Sequence, residues 1–110
     1  MLDSHYGKYY LTKMRVIARR TLRSFWATHK DSEQALKSWF QDAREATWKS
    51  PLAIKAAYPK ASIVGSNRIV FDIVGGKYRL VVKFHYNTGV AYIRFIGTHA
   101  AYDRIDVETI

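Results

Sequence analysis

Between Ala46 and Tyr102 the chain carries eight basic residues and one acid, Asp72. The basic ones are Lys49, Lys55, Lys60, Arg68, Lys77, Arg79, Lys83 and Arg94. That stretch holds most of the formal charge of +9 that 18 Lys and Arg against 9 Asp and Glu give the whole chain. Such an excess calls for a polyanionic partner: nucleic acid, an acidic protein or an anionic membrane. If side chains alternate along a strand, Arg79, Lys83 and His85 share one face, and Tyr92 and Arg94 take the same face of the next strand. Like charges side by side cost stability. A face of Arg and Lys with Tyr and His between them suits a ribose-phosphate strand, the cations taking phosphates and the rings taking bases. A solvated sheet face is also polar, which accounts for any one of these charges more readily than for the set.

Other chemistries are missing from the sequence. There is no cysteine, hence no thiolate nucleophile, disulfide frame or cysteine zinc site. A two-metal nuclease needs clustered carboxylates, whereas Asp72 stands alone and Asp103 and Asp106 come much later. His5, His29 and His85 have no common ligand spacing, so neither a metal nor a cofactor is expected. No apolar run approaches the roughly 20 residues of a membrane span. The opening MLDSHYGKYYLTK is polar and tyrosine-rich, unlike a signal peptide. A cytoplasmic protein without a membrane partner is expected.

The elements that must position these residues are legible in outline. A length of 110 residues is one domain, and 48% apolar residues are enough for one core. Residues 1–13 have little periodicity and are read as an N-terminal extension, a candidate for mobility; the domain is read as 14–110. Met14 to Ala18 is rich in β-formers and reads as a strand. Leu22, Phe25 and Trp26 are spaced for a helix over 19–29. Leu36, Trp39, Phe40 and Ala43 are spaced for a second from Glu33 to about Thr47, capped by Asp31 or Ser32. Trp26, Trp39 and Trp48 are read as core. Ser50-Pro51 is a cap followed by a first-turn proline, so 51–58 reads as a short helix stopped by Pro59.

The period then changes to two. Ile69, Phe71 and Ile73 alternate with Arg68, Val70 and Asp72. After the turn at Gly75-Gly76, Leu80, Val82 and Phe84 alternate with Arg79, Val81, Lys83 and His85. After Asn87-Thr88-Gly89, Ala91, Ile93 and Phe95 are assigned to the core face, and Val90, Tyr92, Arg94 and Ile96 to the other. The expected fold class is α+β: a small antiparallel sheet, made of an N-terminal strand and a three-stranded C-terminal meander, packed on two N-terminal helices.

The stretch NRIVFDIVGGKYRLVVKFHYNTGVAYIRFIGTHAAYDRID resembles the signature of the HigB toxins, within the RelE-like superfamily of mRNA interferases. The matching motifs are N-R-hydrophobic-V-F-D-I, the GKYRL turn and strand, the YIRF strand and GTHxxYD, at family spacing. The upstream SPLAIKAAYPKAS and VGSNR also fit, so the likeness runs from about Met14 to Asp106. It implies a RelE-like fold and a small endoribonuclease, independent of metal, that cuts mRNA on the translating 70S ribosome. It further implies neutralisation by a HigA-type helix-turn-helix antitoxin, with operator DNA bound only through the toxin–antitoxin complex.

The resemblance also implies site residues. RNA cleavage of this kind uses the substrate's 2′-hydroxyl: a base takes its proton, cations stabilise the charge on phosphorus, and an acid protonates the departing 5′-oxygen. Arg79 stands in the Y-R-L position of the superfamily's catalytic arginine, where a planar guanidinium can hold two phosphoryl oxygens. His99 of GTH follows the last strand, where related toxins place a catalytic basic residue, and its ordinary pKa suits acid or base work. Tyr102, three residues on, falls beside His99 on a turn or short helix and can exchange the proton or stack on a base. The division of roles between His99 and Tyr102 stays open. Lys55, Lys60, Arg68, Lys77, Lys83 and Arg94 are read as RNA-binding cations. Asp103 is read as a cap or a holder of a cation. The alternative is a non-catalytic RNA- or ribosome-binding module using the same basic sheet. A DNA-binding regulator fits less well, since the basic face is sheet and no helix-turn-helix is evident.

Overall fold

The computed structural model describes residues 13–110, so all of the expected N-terminal extension but Lys13 lies outside the described residues. Strand β1 (Arg15–Ile17) leads into helix α1 (Arg19–Thr28), a 3-10 turn (Lys30–Ser32) and helix α2 (Glu33–Glu45). Helix α3 (Pro51–Ala57) follows, then β2 (Ser62–Val64), β3 (Arg68–Ile73), β4 (Tyr78–His85), β5 (Val90–Thr98) and the single-turn helix α4 (His99–Tyr102). Among the described residues no helix is long and apolar enough to cross a membrane.

The helices form where apolar residues recur at helical spacing. Leu22 of α1 and Leu36, Trp39 and Ala43 of α2 are buried, with Phe25, Trp26 and Phe40 packed at the margin. The expected cap of α2 is different. Lys30 to Ser32 wind into a 3-10 turn, and the buried Ser32 hydroxyl donates to the His29 carbonyl at 2.6 Å instead of capping. Asp31 is turned away toward β4. Helix α3 starts as expected, with Pro51 in its first turn and the Ser50 hydroxyl accepting from the Ala53 N–H at 3.2 Å.

The sheet has five strands in the order β1-β5-β4-β3-β2. The β3-β4-β5 meander is antiparallel as expected. The N-terminal strand is a correction: β1 lies parallel to β5, Arg15 opposite Val90, so the sheet is mixed. Alternation fixes which face a side chain takes but not which way an edge strand runs; its direction follows from α1, which begins two residues after β1 ends. The short β2, paired with the start of β3, has too few residues to show a period.

A second correction concerns β5. Val82 pairs with Ile93, but Val81 pairs with Phe95, which leaves Arg94 as an extra residue in a β-bulge. From that point alternation inverts. Phe95 and Gly97 join the outer face, opposite Val81 and Arg79, and Ile96 turns to the core side.

The core face carries Ile69, Phe71, Ile73, Leu80, Val82, Phe84, Ala91 and Ile93 against the helices, with Trp39 edge-on to Phe71 at 5.3 Å. Each fully buried Leu, Ile or Phe contributes roughly 1.5–3 kcal/mol. The outer face is not simply solvated. Val70 and Val81 there are as buried as the core, and the segment after α4 returns over this face to place the Ile110 carbonyl on Arg68.

Candidate active site

The site assembles at the end of the sheet where β3 turns into β4 and β5 runs into α4. The connecting turn needs positive φ at three successive residues, Val74 (53°), Gly75 (62°) and Gly76 (93°), and glycine supplies two of them without strain. The tight reversal sets Asp72 directly opposite Arg79 on the outer face. The Arg79 Nε lies 3.2 Å from the Asp72 Oδ1 and also faces the Gly76 carbonyl at 3.5 Å. Both side chains are largely shielded, at 23% and 32% exposure, so the guanidinium is held rather than loose in solvent.

The third side of Arg79 is aromatic. Its guanidinium carbon stands 5.5 Å from the centre of the Tyr102 ring, a cation–π contact. Tyr102 is brought there by α4. The Thr98 hydroxyl caps that helix by accepting from the Ala101 N–H at 3.1 Å, and the His99 N–H donates to the Lys77 carbonyl at 3.1 Å. The motif GTH therefore divides its work: Gly97 lies opposite Arg79, Thr98 caps, and His99 opens the helix. The rings of His99 and Tyr102 are 6.5 Å apart. The Asp103 carboxylate stands 3.2 Å from the His99 Nδ1, on the exposed side of the helix.

From below, the strand is clamped to the helical layer. The Tyr78 hydroxyl and the Lys77 Nζ both donate to the Asp31 carboxylate, each at 2.6 Å. The Lys77 ammonium and the Tyr78 hydroxyl hold the Asp31 carboxyl below its usual range, and Asp31 in turn raises both partners. Tyr78 also meets Phe25 edge-on at 5.1 Å, and Phe25 stacks on His29 at 4.0 Å. The residues on either side of Arg79 are therefore anchored, Tyr78 below and Leu80 in the core.

The structure brings Arg79, His99 and Tyr102 together and separates the expected RNA-binding cations. Lys77 is engaged with Asp31. Lys83 lies farther along the outer face of β4, opposite Tyr92, and Arg94 is exposed at the bulge. Beyond them His85 and Tyr92 meet edge-on at 5.0 Å. Lys55 donates to the Ala61 carbonyl at 2.5 Å and ties α3 to β2. Lys60 is exposed and lines, with Tyr58, Phe71 and Asp72, a cavity of about 430 Å³. Arg68 departs from its expected role. It is 6% exposed, and its guanidinium is taken up by the main-chain oxygens of Ser66 and Ile110.

Two residues of the site were not singled out in the sequence. Asp72 was noted only as the lone acid; the four-residue turn between Ile73 and Tyr78 was the signal that would have paired it with Arg79. Phe95 was placed in the core, and no local signal marks the bulge that reverses it. Among the described residues no group of three His, Asp or Glu stands close enough to hold a metal ion.

No curated protein sequence matches the chain. A protein-family model, HigB_toxin, described as the RelE-like toxic component of a toxin-antitoxin system, matches residues 32–105. The match starts at Ser32 rather than Met14, so β1 and α1 fall outside it, while Asp72, Arg79, Phe95, His99 and Tyr102 all fall within. With more than half of the chain matched and an α+β fold compatible with that description, the chain belongs to the HigB family of RelE-like toxins of toxin–antitoxin systems.

Proposed function

We propose that this chain is the toxin of a type II toxin–antitoxin pair and acts as a metal-independent endoribonuclease, cutting mRNA on the translating 70S ribosome in the cytoplasm. The observation that carries the reading is one guanidinium, Arg79, fixed by Asp72 on one side, faced by Tyr102 on another, and adjoining a helix that opens with His99. Asp72 engages Nε, so the two Nη groups form the edge that phosphoryl oxygens would take. There the arginine stabilises the extra negative charge that develops on phosphorus when the 2′-hydroxyl attacks. No protein nucleophile enters, because the ribose supplies it.

The proton must leave the 2′-oxygen and another must reach the departing 5′-oxygen. His99, held at Nδ1 by Asp103, and Tyr102, beside the arginine cation, are the two groups available for these transfers. The products are a 2′,3′-cyclic phosphate, or the 3′-phosphate it hydrolyses to, and a 5′-hydroxyl. Lys83 and Arg94 would steer the message along the outer face. A HigA-type antitoxin is the expected inhibitor, and operator DNA is bound only through that complex.

The test is induction of the chain alone in bacteria, beside Arg79→Ala and His99→Ala, with protein synthesis followed and an abundant message mapped by primer extension. Rapid arrest with new 5′ ends inside translated codons, lost in Arg79→Ala, is the expected result. Normal synthesis and intact messages from soluble, folded protein would overturn the reading.

A further inference from the structure

The β-bulge at Arg94 has a specific product: it moves a phenylalanine from the core side to the outer face, beside Arg79. An aromatic side chain turned out of a core forfeits burial, roughly 1.5–3 kcal/mol if complete. Phe95 does not simply lie on the surface either. The position opposite Arg79 is Gly97, and a Cβ there would stand 2.5 Å from the Phe95 Cζ and 3.1 and 3.2 Å from its Cε atoms. The ring tip therefore fills the space a Gly97 side chain would have taken and covers the backbone, so that Gly97 is buried although it lies on the outer face. The ring itself stays partly exposed. Its other neighbour is Tyr102, 6.5 Å away and tilted by 51°.

We infer that Phe95 is a stacking platform for the nucleobase next to the scissile phosphate, a substrate-positioning residue of the same site; the inference rests on the endoribonuclease reading above. Arg79 takes the phosphate, which carries no base identity. Every base has a π face, and a partly exposed ring whose tip is seated on the Gly97 backbone is held at little conformational cost while it offers a face to a base. Tyr102 is already occupied by the arginine cation, which leaves Phe95 as the ring at this site whose contacts are apolar. The arrangement fixes one ribose relative to the guanidinium, which is what in-line attack by a 2′-oxygen requires.

The experiment uses the full chain, 70S ribosomes programmed with a short message, and single-turnover cleavage rates under conditions below saturation. Phe95→Leu keeps apolar bulk but loses the π face, and Phe95→Trp enlarges it. Each is compared with wild type on the natural message and on messages with an abasic nucleotide on either side of the cleaved bond. Base–aromatic stacking predicts that Phe95→Leu slows cleavage about 5- to 100-fold on the natural message. Phe95→Trp is expected to stay within about threefold of wild type. One of the abasic messages should slow wild type by the same factor as Phe95→Leu and show no further loss with that variant. Equal rates for Phe95→Leu and wild type would overturn the proposal, as would an equal loss on every message, which marks a merely structural role. Arg79→Ala is run in parallel. If it alone loses cleavage, the endoribonuclease stands and the stacking platform falls. If wild type itself does not cleave, both fall.

Discussion

Arg68 and Arg79 have the same side chain on the same outer face of neighbouring strands, and they do opposite things. Arg68 is buried, and its guanidinium donates to the main-chain oxygens of Ser66 and Ile110. Arg79 is partly exposed and is held at Nε by a carboxylate that leaves its outer edge toward solvent. The first arginine closes the return of the chain over the sheet; the second presents a charge. What separates them is coverage. The returning segment closes Arg68 off and takes its donors on main-chain oxygen, whereas Asp72 meets Arg79 at Nε and leaves the guanidinium partly exposed.

That contrast can be broken by substitution. The largest effect is expected at Arg79→Ala, a loss of about 10²–10³ in cleavage with an unchanged thermal midpoint, measured by initial rates and a melting curve. Arg68→Ala should behave in the opposite way. It removes a buried side chain together with its hydrogen bonds to Ser66 and Ile110 and is expected to cost about 2 kcal/mol, read as a midpoint about 8–15 °C lower. The folded fraction should keep its cleavage rate. A stable Arg68→Ala that cleaves poorly would erase the distinction.

Smaller effects sharpen it. Asp72→Asn keeps the shape and removes the charge that fixes Arg79, so a loss of about 3- to 10-fold in rate is expected, with message affinity unchanged or tighter because one negative charge is gone. Binding that weakens in that variant would show Asp72 to touch the substrate. The smallest effect concerns Asp31. Its carboxyl is held low, mainly by its hydrogen bond with Lys77. Its contribution is therefore complete above the ordinary carboxylate range and is lost as the pH falls through the lowered value. Melting midpoints of wild type and Asp31→Asn should differ slightly at neutral pH and converge in strong acid. A gap that stays constant with pH would mean the carboxylate charge contributes nothing.

The helices and the meander were legible because each rests on local spacing: Leu22, Leu36 and Trp39 at helical intervals, Ile69 to Phe84 at intervals of two; the grouping of GKYRL with GTHxxYD came from the family resemblance alone. What escaped is what depends on partners far away in the chain. The direction of β1 is set by α1 and by β5, some 75 residues downstream. The bulge that turns Phe95 outward exists only in the register between β4 and β5. Arg68 looks like any other basic strand residue until the returning segment covers it. Asp31, expected as a cap, is drawn off by Lys77 and Tyr78 more than forty residues later. In the site, Arg79, His99 and Tyr102 were visible through the family resemblance, while Asp72 and Phe95, which depend on cross-strand register, were not.

Helix α4 is a single turn, far too short to persist alone, and it stands only because Thr98 caps it and the Lys77 carbonyl receives its first N–H. The second attachment requires the end of β5 to be seated beside the start of β4. On the proposed reading, His99 and Tyr102 therefore join Arg79 only when the last of the described strands has docked. Fraying at the far end of β5 would disarm a finished copy long before the fold as a whole is lost.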